Sequence, residues 1–155
     1  MHRERILLLA GWLSVAIAAL HIVIPFLGAP AFRYFGAGEE MARQAEAGSL
    51  RPAAMTLGLA VVFTIFGLYA FAGARRLRRP PLLRTGLAVI ATLYTLRGLE
   101  LLPELVQYAR GSETLAPRHL AFSFVSLVIG ILYLLGSALL WRSLGPAQQG
   151  EGSRS

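Results

Sequence analysis

Arg97 and Glu100 stand three residues apart inside an otherwise apolar stretch, with Glu104 one turn further on. A guanidinium is a fixed anion contact, and a carboxylate can orient or exchange a proton, so this trio could hold a charged ligand. Two imidazoles, His21 and His119, and the hydroxyl of Ser126 belong to other apolar stretches of the chain. Together these six are the candidate ligand-binding residues, and none is assigned a catalytic role. His21, Glu100 and His119 would offer two nitrogens and one oxygen, a donor set suited to zinc or iron. No local ligand spacing supports that, so no metal is expected. Haem held between His21 and His119 is disfavoured because the two differ in depth by roughly 10 Å, counted along their helices. No cofactor is predicted.

The surroundings make these residues conspicuous. The 155 residues leave room for one domain, 55% of them are apolar, and the mean hydropathy is +0.59. That balance excludes an ordinary soluble domain of this size. All fifteen positive charges are arginine; Lys, Asp, Asn and Cys are absent. The missing cysteines remove disulfide, thiolate-metal and thiol-redox chemistry. The bias toward Arg, Ala, Leu and Gly fits a GC-rich bacterial genome. The net charge of +7 does not point to nucleic acid, because the arginines cluster at the ends of apolar runs, where they act as topology signals.

Four apolar runs follow one another. Residues 6–27 carry no Asp, Glu, Lys or Arg, and at about 1.5 Å per residue they span a hydrocarbon core of about 30 Å. A cleaved signal peptide would have an apolar core of only about 7–15 residues, which favours a retained helix. Residues 53–74 form a second uncharged run, ended by Arg75, Arg76, Arg78, Arg79 and the pair Pro80–Pro81. Prolines cannot extend a helix, so a basic turn is expected there. Residues 82–102 give the third run, closed by Pro103, and residues 119–141 the fourth, closed by Trp141 and Arg142. Between the first two runs, residues 38–48 predict a short interfacial helix with Glu39–Arg43 and Arg43–Glu46 pairs on one face. Phe32, Tyr34 and Phe35 before it suit a headgroup boundary. The tail, 145–155, reads as disordered. The fold class is therefore an all-α integral membrane protein, an antiparallel bundle of four transmembrane helices in a single domain spanning 1–155.

Arginine counting sets the orientation. Arg3, Arg5, Arg75, Arg76, Arg78, Arg79, Arg84 and Arg142 fall on one side, against Arg33, Arg43, Arg51, Arg110 and Arg118 on the other. The excess places both termini in the cytoplasm of a bacterial inner membrane. The basic turn would also attract anionic headgroups, although setting topology is already a sufficient role.

Counted from the cytoplasmic ends, His21, Arg97 and Ser126 each lie fifteen residues in, or about 22 Å. Glu100 and Ser123 fall about a turn higher, and His119 and Glu104 near the outer surface. Helical spacing collects the small and polar residues into stripes: Ser14, Ala18, His21 and Pro25; Ala53, Leu57, Ala60, Thr64 and Gly67; Gly86, Ile90, Leu93, Arg97, Glu100 and Glu104; His119, Ser123, Ser126, Gly130, Tyr133 and Ser137. Small residues let helices approach in lipid and ionisable ones avoid acyl chains, so each stripe is an expected inward seam. Side chains tilt toward their helix N-terminus, which leans Arg97 away from the nearer outer interface and toward a partner: Glu100, His21 or Ser126.

Two functional expectations follow. In one, an outer-leaflet polar pocket binds a lipid-like, quinone-like or anionic small ligand, with Arg97 as the anion contact. In the other, the chain is a structural or accessory membrane subunit and the polar cluster fixes helix packing, within a homo-oligomer or a larger complex. No catalytic motif is present, which leans the reading away from an enzyme. Membrane lipids are the expected partners, and nucleic acid is not one.

Overall fold

The computed structural model describes residues 2–111 and 117–142. Among them every regular element is helical: α1 (His2–Leu27), α2 (Ala29–Tyr34), α3 (Glu39–Glu46), α4 (Arg51–Gly73), α5 (Leu83–Leu99), α6 (Leu101–Ala109) and α7 (Pro117–Arg142). The expected disordered tail lies outside the described residues. Four stretches are long and apolar enough to cross a membrane, namely Glu4–Leu27, Arg51–Gly73, Leu83–Ala109 and Pro117–Trp141. They coincide with the four runs expected from hydropathy, with one change.

The change is in the third run. It does not stop at Pro103 but breaks earlier, at Glu100, and resumes as α6 with Pro103 inside its first turn. Proline has no N–H to give the carbonyl four residues back, and its ring crowds that carbonyl. Four residues before Pro103 is Leu99, where α5 ends. In the first turn of α6 the missing N–H costs nothing, because first-turn donors have no intrahelical acceptor.

The turn after α4 is closed by two backbone bonds, Arg76 N–H to the Phe71 carbonyl at 2.9 Å and Arg75 N–H to the Ala72 carbonyl at 3.1 Å. This is a Schellman closure in which Arg75 (φ 61) occupies the left-handed position usually given to glycine.

Packing follows the small residues. α1 packs chiefly on α4, α5 chiefly on α7, and α1 against α7 joins the two pairs. A methyl group added at Gly67 would lie 2.8 Å from Val15 Cγ2 and 3.1 Å from the Gly11 carbonyl oxygen. One added at Gly98 would lie 2.5 Å from both Cα and N of Leu127, and one at Gly130 2.8 Å from the Thr95 nitrogen. The glycines thus allow backbone-to-backbone approach, as expected of helices that pack by van der Waals contact. Leu7, Leu87, Ile129, Tyr133 and Leu140 are fully buried at the centre.

The inward seams are as expected on α7, where Ser123, Gly130, Tyr133 and Ser137 are buried, and on α1, where Ser14 and Ala18 are. On α4 the stripe keeps Ala60 and Gly67 but takes Thr56 instead of Leu57, which is 41% exposed. On α5 it is displaced: the buried residues are Leu83, Leu87, Ile90, Ala91, Tyr94 and Gly98. Leu93 and Arg97 flank that seam. The bulk of the Arg97 side chain and the need for Gly98 at the α7 contact decide the rotation of α5.

At the other end from the basic turn, α2 and α3 form a small cap. Phe32 is buried with Ile24, Ala29, Ala31 and Ala42 in a second apolar cluster. The expected helix over 38–48 is α3, with Gly38 and Ala47 at its ends. Its ion pairs differ from the expected ones. Arg43 pairs with Glu40 at 2.7 Å, while Arg33 reaches across from α2, bidentate to Glu39 (2.9 Å each) and 2.8 Å from Glu46. A planar guanidinium satisfies two carboxylates of a neighbouring helix better than one residue on the same helix can.

Candidate functional site

Gly98 brings the backbone of α5 against Leu127, and this proximity puts Arg97 within reach of α7. Its Nη1 donates to Glu100 Oε2 at 2.6 Å and to Ser123 Oγ at 2.9 Å. Ser123, one turn before Leu127, is fully buried, whereas the side chains of Arg97 and Glu100 are 42% and 59% exposed. The site is therefore a half-open notch on the flank of the α5–α7 pair. Among the described residues, Nε and Nη2 of Arg97 carry no hydrogen bond. Glu100 ends α5, and the Pro103 break behind it fixes where the carboxylate emerges.

The other four expected residues are distributed differently. Ser126 donates to the Phe122 carbonyl of its own helix at 2.9 Å, the back-bond a serine makes when it has no better partner. His21 Nδ1 donates to the Ile17 carbonyl at 2.8 Å, and its ring centroid is 4.9 Å from that of Phe63. Neither makes a hydrogen bond to Arg97. Glu104 is in α6, which packs on α7, and its Oε2 is buried with no partner; Arg118 Nε is in the same condition. His119 lies under the cap: a Cβ built on Gly36 would be 3.5 Å from its Cε1. Phe35 stacks on Phe122 at 6.0 Å and the Arg118 guanidinium sits 5.3 Å from the Tyr34 ring centroid. Tyr34 and Phe35 thus seal the start of α7. Among the described residues no cluster of three or more His, Cys, Asp or Glu could hold a metal.

A second polar group, not recognised as such in the sequence, occupies the core. Tyr94 OH donates to Ser14 Oγ at 3.1 Å. Ser14 Oγ and Tyr133 OH are 3.0 Å apart, and Tyr133 OH donates to the Phe66 carbonyl at 2.8 Å. A phenol has one proton. Since Tyr133 gives its proton to Phe66, Ser14 must be the donor to Tyr133. The chain therefore runs one way, Tyr94 to Ser14 to Tyr133 to the backbone, and touches α5, α1, α7 and α4 in turn. The two phenol rings stack at 5.7 Å with planes 14° apart. Buried tyrosines need partners for their hydroxyls. The signal available in the sequence was Tyr94 and Tyr133 set deep inside apolar runs.

Fold and site together define an all-helical protein with four helices long and apolar enough to cross a membrane. No family model matches the chain, and no curated protein or solved structure matches it.

Proposed function

We propose that this protein is a bacterial inner-membrane protein, an antiparallel four-span bundle with cytoplasmic termini, whose outer flank binds an anionic or quinone-like amphipathic small molecule through Arg97. The antiparallel arrangement is supported by paired contacts: Leu7 meets the position of Gly73 and Val15 that of Gly67, while Leu127 meets Gly98 and Thr95 meets Gly130. Membrane insertion is supported by the outward faces, which carry Trp12, Phe26, Val61 and Leu96 at 59–82% exposure. Apolar surface on that scale is stable in lipid and a liability in water.

The observation that carries the ligand reading is the half-used guanidinium. A charge in a bilayer costs about 2.5–3.5 kcal/mol even on the lenient insertion scale, and Glu100 and Ser123 engage only one nitrogen of Arg97. The Arg97 side chain is 42% exposed, and a phosphate or a quinone carbonyl would complete its remaining donors. A second reading, an accessory subunit with no ligand, is favoured by the hydroxyl chain through Ser14, which already ties all four spans together.

Lipid extracts of purified wild-type and Arg97→Gln protein separate the two. The ligand reading expects a phosphate- or quinone-bearing molecule in the wild-type extract, absent from the variant, at similar melting temperatures. An empty wild-type extract, with a variant that fails to fold, establishes the packing role instead. Reporter fusions at Gly38 and at the C-terminus test the orientation, expecting exterior and cytoplasmic signals respectively.

A further inference from the structure

The turn between α4 and α5, together with the end of α7, borders a half-open surface cavity of about 450 Å³. Arg79, Arg84 and Thr85 give it a polar lining, and Leu82, Leu83 and Leu140 an apolar one. The volume is within the range of small-molecule sites, roughly 300–1,000 Å³. Arg75, Arg76 and Arg78 stand in the same turn, and all five arginines are exposed. Among the described residues none of the five is in an ion pair. The turn therefore presents five guanidinium groups with no carboxylate paired to them among the described residues.

Two leucines stand among these charges with their side chains outward, Leu77 at 46% and Leu82 at 76% exposure. Leu82 holds a left-handed backbone (φ 57) at the start of α5, a conformation disfavoured for any residue with a side chain. Pro81 before it and the start of α5 after it fix this geometry. Exposed leucine between arginines suits a surface where headgroups give way to acyl chains.

We infer that this cavity binds an anionic phospholipid: Arg79 and Arg84 hold the phosphate, Thr85 donates its hydroxyl, and the exposed Leu82 meets the first carbons of the acyl chains above a floor that includes the buried Leu83 and Leu140. The mixed lining selects a lipid over a free anion, and the uncompensated charge selects an anionic over a zwitterionic headgroup. Arginine's planar fork matches phosphate oxygens pairwise. The site rests on the membrane reading above but is independent of Arg97.

Native mass spectrometry of the full chain in detergent, with equimolar dioleoyl phosphatidylglycerol and phosphatidylcholine, tests it. Wild type is expected to retain phosphatidylglycerol preferentially. Arg79→Gln with Arg84→Gln is expected to lower that retention about ten-fold or more, because both charge-assisted phosphate contacts are lost. Arg75→Gln with Arg76→Gln removes the same charge outside the cavity and is expected to lower it less than three-fold. If the double variant at the cavity melts early, Arg84→Gln alone is read, with a loss of at least three-fold expected. Equal losses in the two double variants overturn the inference, because general attraction then suffices. Equal retention of both lipids overturns it, and so does full displacement by millimolar inorganic phosphate, which would mark a plain anion site. Retention in detergent does not depend on insertion direction, so an inverted topology and an empty cavity give different results.

Discussion

Gly98 and the backbone of Leu127 are in such close contact that a methyl group on Gly98 would stand 2.5 Å from Leu127 Cα. This approach sets the spacing of α5 and α7, and with it the 2.9 Å bond between Arg97 and Ser123. The polar notch exists because its neighbour has no side chain.

Gly98→Ala is therefore expected to push α5 off α7. The obstacle is main chain and cannot rotate away, so the loss should reach about 1–3 kcal/mol, the usual range for overpacking. Gly58 is the control: a Cβ there meets nothing within 4 Å, and alanine in a helix is better than glycine by up to about 1 kcal/mol. Thermal melting in detergent should show Gly98→Ala lowered and Gly58→Ala unchanged or raised. A Gly98→Ala protein as stable as wild type would mean that the two helices are free to separate.

The one-way hydroxyl chain predicts unequal costs for two similar changes. Tyr94→Phe removes the first donor and leaves Ser14 still bonded to Tyr133. Tyr133→Phe removes the middle link, orphaning the Ser14 proton and freeing the Phe66 carbonyl from its extra donor. About 0.5–1 kcal/mol is expected for Tyr94→Phe and about 1–2 kcal/mol for Tyr133→Phe, given that bonds between membrane helices average well under 1 kcal/mol each. Melting of the two variants measures the difference. The reverse order would refute the proton assignment.

The cap should loosen in acid. Hydrogen bonds from Arg33 hold Glu39 and Glu46 below the ordinary carboxylate value of 4.5, and the same bonds raise Arg33. A folded-state pKa below the unfolded one means that the unfolded cap binds more protons in this range. The clamp's contribution is thus complete above the ordinary value and is lost as pH falls through the lowered one. Amide exchange across α3, corrected for its intrinsic pH dependence, should rise as the pH falls below the ordinary carboxylate value of 4.5. In Glu39→Gln, which leaves Arg33 only Glu46, that pH step should shrink. A step of unchanged size would place the acid sensitivity elsewhere.

Much of the architecture was legible in the sequence. Four uncharged or nearly uncharged runs of span length determine four long apolar helices, because a chain that cannot hydrate those residues has few alternatives. The seam on α7 was equally legible, since its small and polar residues recur at helical spacing with large apolar ones between them. The Arg97–Glu100 pair was legible from three-residue spacing alone.

What the sequence left open depended on how helices rotate against each other. Hydropathy cannot say that α5 turns Tyr94 and Gly98 inward and leaves Leu93 and Arg97 on its flank; the fit of Gly98 to Leu127 decides that. Equal depth pointed to His21 and Ser126, whereas the α7 partner of Arg97 is Ser123, about a turn higher, because a hydrogen bond needs a shared face as well as a nearby level. Arg33 reaching from α2 to clamp α3 was invisible to pairing rules confined to one helix. Composition and periodicity thus determined where the four long apolar helices and α3 form, but not α2 or the break that sets off α6. Tertiary packing decided which polar groups meet, since backbone contact at a few glycines fixes helix rotation to within a single residue.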